Sequence, residues 1–431
     1  KKRIRLLIRF FFMKDTLSNT ERKTAYILTL PAVCLVFAVI LFPIFANIWI
    51  SFKEVELKDI RIPEPRAKKI VKSVSGEPTK IKILYKLRNS SLIQEIRDVS
   101  FQDKFPKNFK TEELDSRCEF KKSILKCKFG NWPEKYRENF QVVFETDDGS
   151  KIDNKKLKSI KPKLEGKSDN ILLNTNFTLK NFKKVLFENE FVDLLLTTFY
   201  YTFFGTIGSI IFGVLTAQMV NQKFYGRTFM RSVLLFPYVA PVVALAYTWE
   251  LLLDPTSGTL NSLLINYQIV ETPINLLGQK YVEINILGFD FKLRLALTTV
   301  IMFEIWRYFP LAFLFILARL QAIPKELYEA ADVDGASPFQ KFFKITLPQI
   351  TAVISILFMI RFIWNFNKFE DVFLLTGGAS GTRTLPINVY QQGFAISDIG
   401  MGSAVSMVIV VLLLMFMFFY FKLLGKRVDE N

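Results

Sequence analysis

Six long apolar runs divide this chain, each close to the roughly 20 residues a helix needs to cross a bilayer. They are Thr24–Ile50, Phe191–Val220, Phe229–Leu253, Ala296–Leu320, Ile350–Leu375 and Ser403–Leu424. The pattern predicts six transmembrane helices. Between the first and second runs the periodicity changes. Ile81, Ile83, Tyr85 and Leu87 fall on one face of an alternating segment. Lys80, Lys82 and Lys86 fall on the other, interrupted only by Leu84. Further strands are predicted at Ile93–Phe101, Ile124–Phe129 and Phe140–Phe144, with Gly, Pro, Asn and Asp clusters between them. The chain therefore reads as a membrane protein with a β domain of about 52–181 inserted after its first span.

The connection between the fourth and fifth runs has its own organisation. A short polar helix is predicted from Pro324 to Ala331. A turn follows at Asp334-Gly335-Ala336-Ser337-Pro338, where Gly335 permits the positive φ of a sharp reversal. A second short helix then leads to Ile345-Thr346-Leu347-Pro348, just ahead of the fifth span.

Composition agrees with a membrane protein: half of the 431 residues are hydrophobic, and 44 are Phe. The formal net charge of +17 raises the question of nucleic acid. The basic residues lie on loops and on the insert, which points instead to membrane orientation and solubility. The chain contains no histidine, which excludes histidine-based triads, HExxH zinc sites and histidine proton shuttles. Of three cysteines, Cys34 lies within the first span. Cys118 and Cys127 flank Lys121-Lys122-Ser123, a hairpin-turn candidate, and an oxidising compartment would let them pair. Gly166-Lys167-Ser168 mimics the end of a P-loop, but Lys161 stands where its first glycine is required.

Charge also predicts topology. Lys1, Lys2, Arg3 and Arg5 make the start basic, and Leu6–Met13 is too short to span. No small-residue cleavage site follows, so residues 1–23 are read as an amphipathic cytoplasmic segment on anionic lipid. Lys223, Arg227 and Arg231, then Arg319, Lys325, Lys341 and Lys344, then Lys422, Lys426 and Arg427 fall on that same side. Both termini, including the tail 426–431, are expected in the cytoplasm and the insert outside. The insert is basic, but it exceeds the roughly 60-residue loop length within which charges orient a chain.

Glu329-Ala330-Ala331, Asp334-Gly335 and Ile345-x-Leu347-Pro348, set between two spans, resemble the coupling loop of binding-protein-dependent ABC importer permeases, above all the maltose-type sugar permeases. Leu235-Phe236-Pro237-Tyr238-Val239-Ala240-Pro241 resembles their third core span, and Thr382-Arg383-Thr384-Leu385-Pro386 their last outer loop. The likeness covers about 24–52 and 176–424. It implies a type I permease core over 182–425, with loop 321–348 docked on a separate ATPase through Glu329, Ala330, Ala331, Asp334, Gly335, Leu347 and Pro348. It implies partners as well: a second, homologous permease, two ATPase subunits, an extracytoplasmic substrate-binding protein and membrane lipid, with no nucleic acid. ATP and Mg would sit on the partners, leaving this chain no cofactor, no metal and no catalytic residue.

By the same likeness, Glu304, Arg307, Tyr308, Leu311, Trp364, Asn365 and Lys368 would line the substrate path. Aromatics beside amides suit a sugar, with rings against C–H faces and amides against hydroxyls. Glu304, Arg307 and Lys368 depart from a largely neutral family pattern. Two readings stay open for them: an internal ion-pair network, or a cation facing an acidic or phosphorylated sugar. Arg361, Glu370 and Asp371 are read as salt bridges near span ends, and Pro310 as a kink with a local opening. Phe105-Pro106, Cys118, Cys127-Lys128-Phe129-Gly130-Asn131 and Phe140–Phe144 are similar to bacterial immunoglobulin-like repeats, which implies a β-sandwich. A receptor with an extracytoplasmic β sensor is the alternative of another class.

Overall fold

The structure is a computed structural model and describes residues 19–74, 77–106, 109–146, 154–187, 190–286 and 289–429. The amphipathic segment expected before residue 19 lies outside these residues. The chain forms two compact units: a helical unit of 1–52, 180–391 and 401–431, and a β unit of 53–179 with 392–400.

The first span is built from α1 (Asn19–Val36), a π-helical turn over Phe37–Leu41 and α2 (Phe42–Ser51). Together they present 29 apolar-rich residues, Lys23–Ser51, of which none in the most apolar window is buried within the chain. Cys34 is an exposed free thiol on this helix rather than a core residue, because the helix packs on so little of its own chain.

The β unit holds β1 (Pro65–Val74), β2 (Glu77–Asn89), β3 (Ile96–Lys104), β4 (Phe109–Glu113), β5 (Cys118–Lys121), β6 (Ile124–Trp132), β7 (Arg137–Thr146) and β8 (Lys163–Lys167). All pairings are antiparallel, in two sheets ordered β1-β2-β7-β4 and β5-β6-β3-β8. One apolar cluster joins them: Ile81, Ile83, Tyr85, Leu87, Phe140, Val142 and Phe144 from the first sheet meet Val99, Phe101, Leu125, Cys127, Phe129 and Trp132 from the second. The alternation around Lys80–Leu87 therefore marks a core face and a wet face, as its period of two requires. The four expected strands are present; three are longer than expected, and the one expected at Ile93–Phe101 is shifted three residues on, to Ile96–Lys104. β1, β4, β5 and β8 were not foreseen, since each is short or too rich in lysine to stand out. Lys122 and Ser123 take φ of 54° and 61° at the β5–β6 turn, the left-handed pair of a two-residue hairpin. Cys118 stands directly opposite Cys127 and is bonded to it. Inside the core, the Tyr85 hydroxyl donates to Asp103 Oδ2 at 2.5 Å, and Lys69 approaches the same oxygen at 2.7 Å.

The helical unit resumes with α3 (Lys180–Phe187) and the long α4 (Phe191–Asn221). The third span is split into α5 (Arg227–Val239) and α6 (Val242–Leu253), which meet at 92°. Pro237 and Pro241 flank the break, as missing N–H donors predict. After α7 (Thr259–Asn266), an unforeseen hairpin of β9 (Val282–Ile286) and β10 (Phe289–Leu293) leads to α8 (Leu295–Gln321). Next come α9 (Glu326–Val333), α10 (Pro338–Lys341), α11 (Leu347–Phe366), α12 (Glu370–Thr376), α13 (Leu385–Tyr390) and α14 (Ile399–Asp429). Among the described residues, five helices are long and apolar enough to cross a membrane, and the bent α5–α6 pair has the length and composition for a sixth if it is one broken span.

Pro310 is buried inside α8, which runs on past it to Gln321; neighbouring helices in a bundle tolerate a proline that solvent would punish. Two boundaries differ from the expectation. The fifth span ends at Phe366 rather than Leu375: the chain breaks over Asn367–Phe369 before α12. The short helix α10 continues through a π turn (Phe342–Thr346) straight into α11 instead of stopping before it. The last helix runs on to Asp429, past the candidate span Ile399–Leu423.

Candidate functional site

α4 and α8 approach closely because α4 presents a stripe of small residues. Gly205, Ser209, Gly213 and Ala217 recur every four residues and all are buried. A Cβ at Gly213 would come within 2.6 Å of Ala312 Cβ and 2.9 Å of the Phe313 nitrogen. This is the small-residue packing that draws membrane helices together by contact rather than by hydrophobicity. The four-residue spacing was legible in the sequence and went unread.

The close approach buries charge. Glu304 on α8 is fully buried and paired with Arg361 of α11, which is buried as well. The Tyr201 hydroxyl donates to the same carboxylate at 3.4 Å. Arg307, one turn on, pairs with Asp371 of α12 at 2.8 Å. Tyr308 is the centre of this cluster. Its hydroxyl accepts from Arg307 Nη1 at 2.6 Å and from Lys368 Nζ. Lys368 and Arg361 lie 4.2 Å from its ring centroid and Arg307 4.8 Å. Three cations thus face two buried carboxylates; the remaining partner, Glu370, lies 3.3 Å from Lys368 and is half exposed. Each buried charge has an opposite partner, which a low-dielectric interior demands.

Of the seven predicted path residues, the structure brings together Glu304, Arg307, Tyr308 and Lys368. Asn365 adjoins them: its amide donates to Thr206 Oγ1 at 3.2 Å, and its Oδ1 has no partner among the described residues. Leu311 is partly buried and Trp364 is 52 % exposed, and neither enters the network. Arg361, Glu370 and Asp371 do form salt bridges, close to the break between α11 and α12, but Arg361 and Asp371 are not peripheral. Both are sealed in the centre of the cluster, because the break after Phe366 folds α12 back toward α8. Tyr201, Thr206 and Gly205 were missed, and only the small-residue stripe could have pointed to them.

The second site is the hairpin between α8 and α11. α9 ends in a Schellman motif: the Gly335 N–H donates to Asp332 O at 3.1 Å, and the Ala336 N–H to Ala331 O at 2.9 Å. Gly335 takes φ +71° with nothing within 4 Å of a Cβ placed there. Ser337 then caps α10 with a reciprocal box to Gln340, and Pro338 occupies the first turn. Three cross-ties hold the two arms. Arg319 donates to the Gln349 carbonyl and side chain at 3.0 and 2.9 Å, the Tyr328 and Thr346 hydroxyls meet at 2.8 Å, and Lys341 pairs with Asp332. Glu329, Ala330, Asp334, Gly335 and Pro348 are exposed, while Ala331 and Leu347 are partly covered. The tip also bares Val333 and Phe339, 88 % and 78 % exposed. The capped hairpin thus ends in an exposed apolar tip.

The family description "binding-protein-dependent transport system inner membrane component" matches residues 209–430. The chain belongs to this family. It is 35% identical over 231 residues to the inner membrane ABC transporter permease protein YcjO of Escherichia coli (strain K12), covering 54% of this chain and 74% of that one. It is 32% identical to the trehalose/maltose transport system permease protein MalF of Thermococcus litoralis, covering 53% and 73%. Its fold is similar to that of a bacterial ABC transporter involved in alginate import, with a TM-score of 0.52 at 21% identity over 59% of this chain and 86% of that one. This multi-pass permease of the type I ABC fold is a transport component rather than an enzyme, which sets aside the receptor alternative.

Proposed function

We propose that this permease forms one half of the translocation path for a carbohydrate, delivered by an extracytoplasmic binding protein and moved by alternating access. The observation that carries the reading is the capped hairpin 321–348. Its cross-ties make it a lever, and its exposed tip supplies the docking face. A partner ATPase that grips Val333, Phe339 and Glu329 would transmit its closure through the continuous α10–α11 helix to the charged cluster at Tyr308. ATP and Mg would be held by that partner. A second permease would complete the path, and the relatives' names supply the substrate class.

A second reading shares this machinery: the substrate is an acidic or phosphorylated sugar. The specific support is Lys368, whose nearest carboxylate, Glu370 at 3.3 Å, is half exposed, while the other two cations of the cluster pair with buried carboxylates. In the same reading both termini are cytoplasmic, and the β unit is an outside, immunoglobulin-like sandwich. Its disulfide joins neighbouring strands of one sheet, however, instead of bridging two sheets as in antibody domains.

The test is ATP hydrolysis by the reconstituted complex with its binding protein across neutral and acidic sugars, with and without Gly335→Val. Stimulation by one sugar, lost in the variant, supports the coupled importer. Co-purification of no ATPase, with no response to any sugar, would sink it.

A further inference from the structure

The wet face of the β1-β2-β7-β4 sheet carries an arrangement that stability does not explain. Arg66 on β1 stands directly opposite Arg88 on β2, and Arg88 directly opposite Arg137 on β7. The next outward row is Lys68, Lys86 and Asn139. Two rows further on, Lys72 stands opposite Lys82. All of these cations are exposed, and none forms an ion pair among the described residues. Over these rows the outward positions of β7 are Arg137, Asn139, Gln141 and Val143, without a carboxylate. Like charges directly opposite one another on a sheet destabilise it, so folding alone would not place three arginines side by side.

Their surroundings sharpen the point. The β unit between 53 and 179 contains six arginines. Two are committed to carboxylates: Arg97 to Asp169 at 2.8 Å, and Arg117 to Asp115 and Glu138 at 2.7 and 2.6 Å. The other four, Arg61, Arg66, Arg88 and Arg137, all line one open groove of about 1050 Å³. Glu56, Asp59 and Glu64 also border it, but Lys58 already neutralises Glu56 at 2.6 Å. That volume lies at the upper end of the roughly 300–1,000 Å³ typical of small-molecule sites, which suits several linked sugar rings better than one. Successive arginines across the strands lie about 4.8 Å apart. Guanidinium groups in such a row match carboxylates repeated along a linear chain, each taken in a bidentate fork.

We propose that this groove and the Arg66–Arg88–Arg137 ladder bind an acidic oligosaccharide, a chain of carboxylate-bearing sugars lying across the strands. This goes beyond the transport reading and does not depend on it, since binding here is read directly and needs neither ATP nor a partner.

The test uses the full chain in nanodiscs of zwitterionic lipid. Oligogalacturonates of increasing length are titrated against neutral maltooligosaccharides of equal length, polyphosphate of matched charge, and vesicles containing phosphatidylglycerol. The expected result is saturable binding of the uronate oligomers that tightens with length and weakens with salt. Arg66→Gln/Arg88→Gln/Arg137→Gln should weaken it by about tenfold or more. Lys72→Gln/Lys82→Gln, at the far end of the same face, should change it by less than about threefold. The β-sheet circular dichroism of each variant reports folding. No binding of uronate oligomers, equal binding of the neutral sugars or of polyphosphate, or binding only to the acidic vesicles would overturn the proposal. Loss of sugar-stimulated ATP hydrolysis with uronate binding intact would instead count against the transport reading alone.

Discussion

Arg361 on α11 closes an ion pair onto Glu304 on α8 with 1 % and 0 % of the two side chains exposed. Neither charge has water to fall back on, so each holds the other in place. Removing one partner leaves the other buried and unpaired, which costs about 3–5 kcal/mol. Arg361→Met should therefore lower the stability of the detergent-solubilised chain by about that much. Glu304→Gln/Arg361→Met should recover a large part of it, because no bare charge remains. Thermal unfolding of the three proteins decides the matter; a double variant as unstable as the worse single one would contradict the pairing.

Gly335 should accept only residues that tolerate a left-handed backbone. A side chain there meets nothing within 4 Å, so the penalty is conformational, about 1–2 kcal/mol for a β-branched residue. Gly335→Val is expected to loosen the turn and uncouple ATP hydrolysis from substrate, whereas Gly335→Asn should retain most coupling. Equal loss in both would point to the tip needing a bare backbone against the partner.

Gly213 faces the opposite constraint, since a Cβ there would strike α8. Gly213→Leu should force α4 and α8 apart at a cost of about 1–3 kcal/mol or more. It should also expose the Glu304 cluster to water. Accessibility of a cysteine placed at Thr206 to a polar thiol reagent would report the opening, with Cys34 replaced beforehand.

The disulfide closes a short loop, nine residues apart in sequence. Cys118→Ser/Cys127→Ser should cost the β unit about 2–3 kcal/mol in the chain-entropy account. Trp132, fully buried in that core, supplies the fluorescence readout for denaturant unfolding in the full chain. An unchanged midpoint would mean that the hairpin turn alone sets the register.

Acid should probe the Asp115–Arg117 pair. Hydrogen bonds from the Arg117 side chain, then its backbone, hold the Asp115 carboxyl down at about 2, against an ordinary 3.8. A carboxyl depressed in the folded state contributes stability that is complete above its unfolded value and is lost as pH falls through the folded one. The β unit should therefore lose stability from about pH 4 down to pH 2, and Asp115→Asn should flatten that stretch. An identical slope in the variant would assign the acid sensitivity to other carboxylates.

Much of this protein was readable in one dimension, because each readable feature is local. Six apolar runs announce their spans, since length and hydropathy alone decide insertion. Ile81, Ile83, Tyr85 and Leu87 declare a half-buried strand by period. Asp334-Gly335 and Ser337-Pro338 declare a helix end and a helix start, because caps are made by adjacent residues. The paired cysteines stand opposite each other because the turn between them is two residues long. Other features belong to no segment. Arg361 lies 57 positions from Glu304, and the pair forms where α8 and α11 both pack on α4, beside Gly205. Asp371 reads as a charge near a span end until the break at Asn367–Phe369 returns it to the core. Arg66, Arg88 and Arg137 are unremarkable on three separate strands, and they become a ladder only through the register of β1 with β2 and β2 with β7. Periodicity and capping are set by neighbours in the chain. Charge pairing and cross-strand alignment are set by neighbours in space, so folding alone decides them.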